Sequence, residues 1–197
     1  MRPFRTLTAP VAVLDRGDVD TDQIIPKQFL KRIERTGYGE FLFFDWMKQP
    51  DFELLRPEYA GAKILLAGRN FGCGSSREHA AWALQDHGFE VVIAPSFGDI
   101  FRTNSLKSGL VSIILSAGEV RALMKAVAGG AELTVDLEAR QIVDPRGRLV
   151  PFEFDDFARE CLLDGLDDIG LTLRREAAIG AFEAAHPAAI ETTALAL

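Results

Sequence analysis

An α/β fold with a mainly parallel sheet is predicted for this chain of 197 residues. From residue 61 onward, short apolar runs alternate with segments rich in helix-forming residues. That order is typical of βαβ crossovers, which join parallel strands. The run Ile64–Ala67 is apolar at every position, as expected of a strand buried on both faces of its sheet.

The N-terminal third of the chain holds one clear strand. Residues 9–14 fit an opening strand, and residues 15–22 fit a polar loop. Residues 23–60 are mixed, because Gly37 and Gly39 interrupt any long helix. An aromatic cluster in this segment comprises Phe41, Phe43, Phe44 and Trp46. We expect this cluster to be local core rather than an exposed docking patch.

The central part of the chain alternates between the two element types. Strands are predicted at 64–67, 90–94 and 110–115, and helices at 77–87, 98–107 and 118–127. The first of these helices consists of good helix formers and ends at Gly88. The third ends at Gly129 and Gly130, since glycine is the preferred residue just past a helix.

The C-terminal part begins with short strands and ends in an alanine-rich segment. Strands are predicted at 132–137, 140–144 and 148–152, followed by a helix at 155–164 and a short segment from Asp168. Beyond Arg175 few large apolar residues remain, which indicates a short helix from 178 and then a frayed tail. We therefore predict a single domain at 1–175 and an alanine-rich C-terminal extension at 176–197.

Composition and charge limit the classes of partner. The formal net charge is −7, and no segment concentrates Lys or Arg as a footprint on phosphate backbones requires. Nucleic acid is therefore not an expected partner. The first residues lack an apolar signal region, and no run approaches the roughly 18 apolar residues of a membrane span. A cytoplasmic protein without a membrane partner is expected.

The segment between the strand at 64–67 and the helix at 77–87 is a glycine-rich turn with polar side chains. Gly72 and Gly74 permit positive φ and the close approach of a ligand. Ser75 and Ser76 either cap the helix or face that ligand, and Arg77 offers a planar fork for a carboxylate. The N-terminus of the following helix also favours an anion. The turn therefore predicts a carboxylate or phosphate site, against the simpler alternative of capping residues and a solvated arginine.

The string Asn70-Phe-Gly-Cys-Gly-Ser-Ser-Arg-Glu-His79 resembles the signature of the swivelling domain of the aconitase superfamily. Three further segments fit that resemblance in the same order, namely 20–30, 35–39 and 96–110. Over about residues 5–175 the chain is similar to the family of 3-isopropylmalate dehydratase small subunits. The resemblance implies a three-layer β/β/α swivelling fold.

The same resemblance implies a hydro-lyase reaction. In the family, 2-isopropylmalate becomes 3-isopropylmalate by loss and regain of water through 2-isopropylmaleate, in leucine biosynthesis. Such chemistry needs a base for a C–H next to a carboxylate, cations for two carboxylates, and a Lewis acid for the departing hydroxide. The substrate is accordingly a small dicarboxylate hydroxy acid.

The resemblance also implies roles for individual residues of the glycine-rich turn and for Asp22. The resemblance places the general base at Ser75, acting as an alkoxide, although the choice between Ser75 and Ser76 stays open. Ser76 then caps the helix or binds substrate, beside Gly74. Arg77 is expected to clamp a substrate carboxylate. Asp22 resembles an acidic residue that orients a catalytic group of the partner, and its simpler alternative is an aspartate of a turn or cap.

A second carboxylate contact is expected from the segment after Asp22. Arg35 is the candidate by resemblance, with Arg32 as the alternative. The surrounding segment, 27–39, is expected to recognise the substrate through Phe29, Leu30 or Ile33, because an isopropyl group needs an apolar pocket.

The iron–sulfur cluster of the superfamily is not expected on this chain. Cys73 and Cys161 are too few thiols to hold one in the usual way. The three histidines have no metal-ligand spacing, so no metal site is assigned here. The [4Fe–4S] cluster is expected on a large partner subunit, in a heterodimer or heterotetramer without which this chain is inactive.

Two other readings stay open at the level of sequence. The chain fits the small subunit of a related hydro-lyase acting on citraconate or 2-methylmalate, homoaconitate or dimethylmalate. It also fits a non-catalytic module that binds an anionic metabolite in the glycine-rich turn.

Overall fold

The computed structural model describes residues 1–31, 36–75 and 77–186. Its strands are β1 (Thr6–Leu14), β2 (Ile64–Ala67), β3 (Val91–Ala94), β4 (Val111–Ile114), β5 (Glu132–Asp136), β6 (Gln141–Val143) and β7 (Leu149–Pro151). Its α-helices are α1 (Thr21–Ile24), α2 (Glu78–His87), α3 (Asp99–Ser108), α4 (Ala117–Ala126), α5 (Asp156–Asp164), α6 (Asp168–Leu173) and α7 (Glu176–Ala185). Short 3₁₀ turns occupy Lys27–Lys31, Gly39–Phe41, Glu53–Leu55 and Pro57–Tyr59.

The strands form one sheet in the order β4-β3-β2-β1-β5-β6-β7. Strands β1 to β4 pair in parallel, while β5 to β7 continue the sheet in antiparallel pairs. The α/β class and the parallel strands predicted from the alternating pattern are confirmed. β1 begins at Thr6 rather than at residue 9, because its first half pairs with β5 while its second half pairs with β2.

Side chains of β2 alternate between two hydrophobic cores. Leu65 and Ala67 join a first core with residues of α2 and α3, whereas Ile64 and Leu66 join a second core with residues of α4. Successive side chains of a strand point to opposite faces, so a strand covered on both faces must be apolar throughout. The antiparallel strands β5, β6 and β7 also contribute residues to the second core.

The aromatic cluster at 41–46 packs as local core, as expected. Phe43 is buried, and its ring lies 5.5 Å from Trp46 and 5.9 Å from Phe52. Arg16, just after β1, lies 4.4 Å above the Trp46 ring and forms a two-point ion pair with Glu53 at 2.7–2.8 Å. These contacts fix the irregular segment after α1 to the end of β1.

Other predicted bounds differ by a few residues at element ends. The polar loop predicted at 15–22 contains the start of α1, and α7 begins at Glu176 rather than at 178. The tail predicted beyond α7 falls mostly outside the described residues, and the boundary between 1–175 and 176–197 stays a prediction. None of the described helices has the length and apolar character needed to cross a membrane.

Candidate active site

The carboxyl ends of β1, β2 and β3 bring three connecting segments together. The segments are 15–22, 68–75 and 95–98. The Gly72 N–H donates to the Val19 carbonyl at 2.7 Å, and the Phe71 N–H donates to the Ser96 carbonyl at 3.0 Å. Parallel strands end at the same edge of a sheet, which is where α/β proteins generally bind ligands.

Two glycines shape the turn after β2. Gly72 and Gly74 have φ values of +73° and +87°, as the sequence predicted. A Cβ at position 72 would overlap the Phe101 ring, and one at position 74 would lie 2.8 Å from a carboxylate oxygen of Asp20. The turn therefore requires glycine both for its backbone angles and for the close approach of its neighbours.

Helix α1, which lies beside this turn, begins with a capping box. The Asp20 carboxylate accepts from the Asp22 N–H at 2.5 Å, and the Gln23 side chain accepts from the Asp20 N–H at 2.9 Å. The capping aspartate is thus Asp20, which leaves the Asp22 side chain available for another contact.

Asp22 and Arg77 form a bidentate ion pair. Both terminal nitrogens of Arg77 donate to the two carboxylate oxygens of Asp22, the second at 3.1 Å. The Arg77 side chain is 15% exposed and that of Asp22 is 45% exposed. Hydrogen bonding from Arg77 holds the pKa of Asp22 below its usual range. The sequence marked both residues as site candidates but did not predict their contact.

Ser75 is exposed and lies two residues before Arg77 in the chain. Its carbonyl oxygen accepts a hydrogen bond from the Thr21 hydroxyl at 2.9 Å. The alternative in which Ser75 caps the helix is excluded, because α2 begins at Glu78 and its N-cap residue is Arg77, without a side-chain cap. Ser75 lies two residues before that N-cap, too early in the chain to be the capping residue itself. The candidates Ser76, Arg32 and Arg35 lie outside the described residues.

Sequence reasoning missed a second group of polar contacts at this edge. The Asp18 carboxylate accepts from Arg69 at 2.8 Å and from the Asn70 amide at 2.9 Å, while the Asp18 N–H donates to the Arg69 carbonyl at 2.8 Å. Asp18 and Asn70 both have φ of +56°. Asp and Asn are the non-glycine residues that best tolerate the left-handed region of positive φ. The presence of Asp18 and Asn70 in two polar loops was therefore the sequence signal that could have indicated these contacts.

Cys73 and His79 are unsuited to act as charged groups here. Burial, together with nearby Asp20 and Asp18, raises the pKa of the Cys73 thiol and disfavours the nucleophilic thiolate. The His79 ring lies 5.2 Å from Tyr38 and 4.8 Å from Trp82, and burial lowers its pKa.

Phe29, one of the residues expected to recognise an apolar substituent, packs against the aromatic cluster. Phe29 stacks on Phe41 at 4.0 Å and meets Phe44 edge-on at 4.8 Å. Leu30 is partly buried against the first core. The third, Ile33, lies outside the described residues.

The donor set of the described residues does not fit an iron–sulfur cluster. Across 1–31, 36–75 and 77–186, no three His, Cys, Asp or Glu residues are placed to hold a metal ion. Cys161 lies in α5 and Cys73 in the turn before α2, and burial raises the pKa of both thiols. An iron–sulfur cluster is usually held by four cysteine thiolates, and this chain has two cysteines.

Three family models match consecutive parts of the chain. An Aconitase C-terminal domain model matches residues 1–118, and a LeuD_N model matches 121–156. A model of the C-terminal domain of the 3-isopropylmalate dehydratase small subunit matches 168–189. The first model covers more than half of the chain and contains the whole site described above.

Curated relatives match almost the entire chain. A 3-isopropylmalate dehydratase small subunit of Acidobacterium capsulatum is 58% identical over 188 residues, covering 94% of this chain and 91% of the relative. One of Halalkalibacterium halodurans is 55% identical over 193 residues, covering 94% and 100%. The crystal structure of a 3-isopropylmalate dehydratase from Methanocaldococcus jannaschii is 28% identical with a TM-score of 0.68, covering 90% of this chain and 99% of that one.

Proposed function

This chain belongs to the family of 3-isopropylmalate dehydratase small subunits, and from that membership we propose its reaction. With a large subunit it forms a hydro-lyase that converts 2-isopropylmalate to 3-isopropylmalate through 2-isopropylmaleate, in cytoplasmic leucine biosynthesis. The observation that carries the proposal is made at one edge of the parallel sheet, where Asp22 pairs with Arg77 and the adjacent Thr21 bonds to Ser75.

The reaction makes separate demands on the two subunits. A proton leaves the carbon next to a carboxylate, hydroxide leaves the neighbouring carbon, and an alkene diacid forms. Water then adds back with its hydroxyl on the other carbon. We propose that this chain provides the proton-transferring group and the carboxylate contacts, because its described residues include a hydroxyl and an arginine fork at one site.

Ser75 is proposed as the proton acceptor. A serine hydroxyl is a very weak acid, so its alkoxide needs positive charge and aligned N–H groups close by. The first turn of α2 and the Arg77 guanidinium lie two to three residues further along the chain. The exposed position of Ser75 leaves it accessible to a substrate arriving at this edge.

Arg77 is proposed to hold one substrate carboxylate while Asp22 orients it. The ion pair uses one N–H on each terminal nitrogen, so a second N–H on each and the N–H of Nε remain for other acceptors. A carboxylate bound to those donors lies against a largely buried arginine whose plane is already fixed. Preorganisation of this kind lowers the entropic cost of binding.

The remaining contacts are assigned to residues outside the described ranges and to the partner. We propose that Arg35, or alternatively Arg32, holds the second carboxylate, and that Ser76 with Gly74 completes the substrate contacts. Departure of hydroxide needs an electrophile. The donor set described above does not fit a cluster, so we propose a [4Fe–4S] cluster on the large subunit of a heterodimer or heterotetramer.

The proposal is tested by anaerobic assay of the chain alone and mixed with the large subunit of the same organism. Turnover of 2-isopropylmalate is expected only in the mixture, followed by alkene absorbance. In that mixture Ser75→Ala is expected to lower kcat by about 10²–10⁴-fold, the range of a lost general base.

Ser108→Ala is the matched control, because its hydroxyl bonds only locally, to the Ser105 carbonyl at 2.9 Å. Its turnover is expected to equal that of the wild type. Turnover of citraconate or homoaconitate instead of isopropylmalate would retain the mechanism and change the substrate. If the mixture turns over none of these diacids, the alternative of a non-catalytic module that binds an anionic metabolite is favoured.

A further inference from the structure

We infer that Thr21 is the residue that positions Ser75, an inference that rests on the base role proposed for that serine. Thr21 is the first residue of α1 and is 1% exposed. Its hydroxyl donates to the carbonyl oxygen of Ser75 at 2.9 Å. Its backbone N–H donates to the carbonyl oxygen of Cys73, also at 2.9 Å. A single residue thus holds the chain on both sides of Gly74.

The backbone of this turn needs such an external tether. Gly74 has φ of +87°, and glycine has more conformational freedom than any other residue, so the turn does not fix the orientation of Ser75 by itself. The bond from Thr21 fixes the direction of the Ser75 carbonyl, which restricts ψ of that residue and the position of its Oγ. Proton transfer is sensitive to such placement, with a tolerance of about 0.5 Å and 10–20°.

The tether is itself attached to a rigid base. Asp20 caps α1 through the capping box with Gln23, which fixes the backbone from which the Thr21 side chain extends. The next residue, Asp22, holds Arg77. Consecutive residues of one capped helical turn therefore hold the proposed base through its backbone and the proposed carboxylate clamp through its side chain.

The positioning of Ser75 is expected to depend on the hydroxyl group of Thr21 rather than on the shape of its side chain. Thr21 carries no charge and is almost fully buried, so it does not exchange protons with a substrate. Valine has nearly the same volume but no donor, and serine keeps the donor without the methyl group. The pair of substitutions separates positioning from packing.

The kinetic test uses the chain reconstituted with its large subunit. Thr21→Val is expected to lower kcat by about 10–100-fold with little change in KM, since a misplacement of about 1 Å costs up to about 10²-fold. The primary isotope effect should rise with substrate deuterated at the carbon that loses its proton, because proton transfer becomes slower relative to other steps. Thr21→Ser should restore both values.

The control substitution is Thr172→Val. The Thr172 hydroxyl donates to the Asp168 carbonyl at 2.9 Å on the exposed helix α6, remote in sequence from the site. Both its kcat and its isotope effect are expected to match the wild type. Should the Thr21→Val chain fail to fold, Thr21→Ser and Thr21→Ala repeat the comparison, since they also differ by one hydroxyl.

A second readout does not depend on turnover. Amide hydrogen exchange in residues 72–75 of the full chain is expected to be faster in Thr21→Val than in the wild type and the Thr172→Val control. The inference would be overturned if kcat, the isotope effect and amide exchange of Thr21→Val all equalled those of the wild type. If the wild-type pair turns over no diacid, the proposed function fails on its own. Exchange still decides in that case whether Thr21 positions Ser75: faster exchange supports it, and unchanged exchange overturns it.

Discussion

The Arg77 guanidinium and the Asp22 carboxylate, 55 positions apart in the chain, meet as a two-point ion pair at the edge of the parallel sheet. The pair joins the segment after β1 to the segment after β2. Arg77 is mostly buried and Asp22 is half exposed, so the arginine is the more constrained of the two partners.

Replacement of Arg77 by alanine is expected to reduce kcat/KM of the reconstituted enzyme by about 10²-fold or more, because a substrate carboxylate loses a charged, two-point donor. Arg77→Lys is expected to recover only a small part, since an ammonium does not reproduce the planar fork. Steady-state kinetics with 2-isopropylmalate measure both effects.

Arg5→Ala is the control for that series. Arg5 forms an exposed ion pair with Glu138 at 3.4 Å, away from the site, and its loss should leave the kinetics unchanged. Full activity of Arg77→Ala would show that Arg77 does not contact the substrate.

The Asp22–Arg77 pair predicts a specific dependence of stability on pH. Arg77 lowers the pKa of Asp22 in the folded chain, so the unfolded chain takes up the proton more readily. The contribution of the carboxylate is therefore complete above its ordinary pKa of 3.8 and is lost as the pH falls through the lower folded value.

Unfolding of the wild type and Asp22→Asn between about pH 7 and pH 3 checks this dependence. The difference in free energy of unfolding should be constant near neutral pH and should shrink in acid. Because Asp22 is half exposed, we expect a difference below about 1 kcal/mol. A difference that persists unchanged in acid would rule out the charge as its cause.

Gly72 is expected to tolerate no side chain. Gly72 and Gly61 have nearly equal φ, +73° and +74°, but only at Gly72 does an added Cβ meet a neighbour, the Phe101 ring. Alanine in the left-handed region costs about 1–2 kcal/mol at either position. The overlap with Phe101 adds about 1–3 kcal/mol at Gly72.

Urea denaturation of Gly72→Ala and Gly61→Ala isolates the steric contribution, because the backbone cost is common to both. Equal losses of stability would mean that Phe101 moves aside without cost. Gly72→Ala should also reduce turnover of the reconstituted pair, since the turn that carries Ser75 must shift.

His79 is expected to remain neutral at neutral pH. Its pKa is lowered chiefly by burial, between the rings of Tyr38 and Trp82. The ring resonances should titrate with a midpoint below the ordinary value of 6.5 in NMR spectra. A midpoint at or above that value would contradict the burial of this ring.

The same shift has a consequence for stability. The unfolded chain takes up a proton at this histidine more readily than the folded chain, so the free energy of unfolding should fall as the pH drops through 6.5 toward the folded value. His79→Phe should remove this part of the pH dependence.

Cys73 is expected to react slowly with alkylating reagents. Burial and two nearby aspartates raise the pKa of its thiol, so the reactive thiolate is less abundant than in a free cysteine. The rate of iodoacetamide modification in a Cys161→Ser background measures this directly. Modification as fast as that of free cysteine would show that the thiol is neither buried nor repelled.

Local sequence patterns predicted the parts of this fold that depend on near neighbours. The apolar run Ile64–Ala67, the glycine-rich turn and the helix ending at Gly88 were each recognisable, because strand burial, positive φ and helix termination leave short-range signals. The capping box at Asp20 was missed, since four-residue helices within a polar loop give almost no periodicity.

The sequence by itself determined the α/β class, the family and the residue types gathered in the turn. Tertiary structure alone decided that Asp22 meets Arg77 and that Thr21 meets Ser75. Neither contact has a local signal, because more than fifty residues separate the partners in each pair. The parallel pairing of β1 with β2 places the ends of both strands at one edge of the sheet, and that pairing depends on the packing of the whole core.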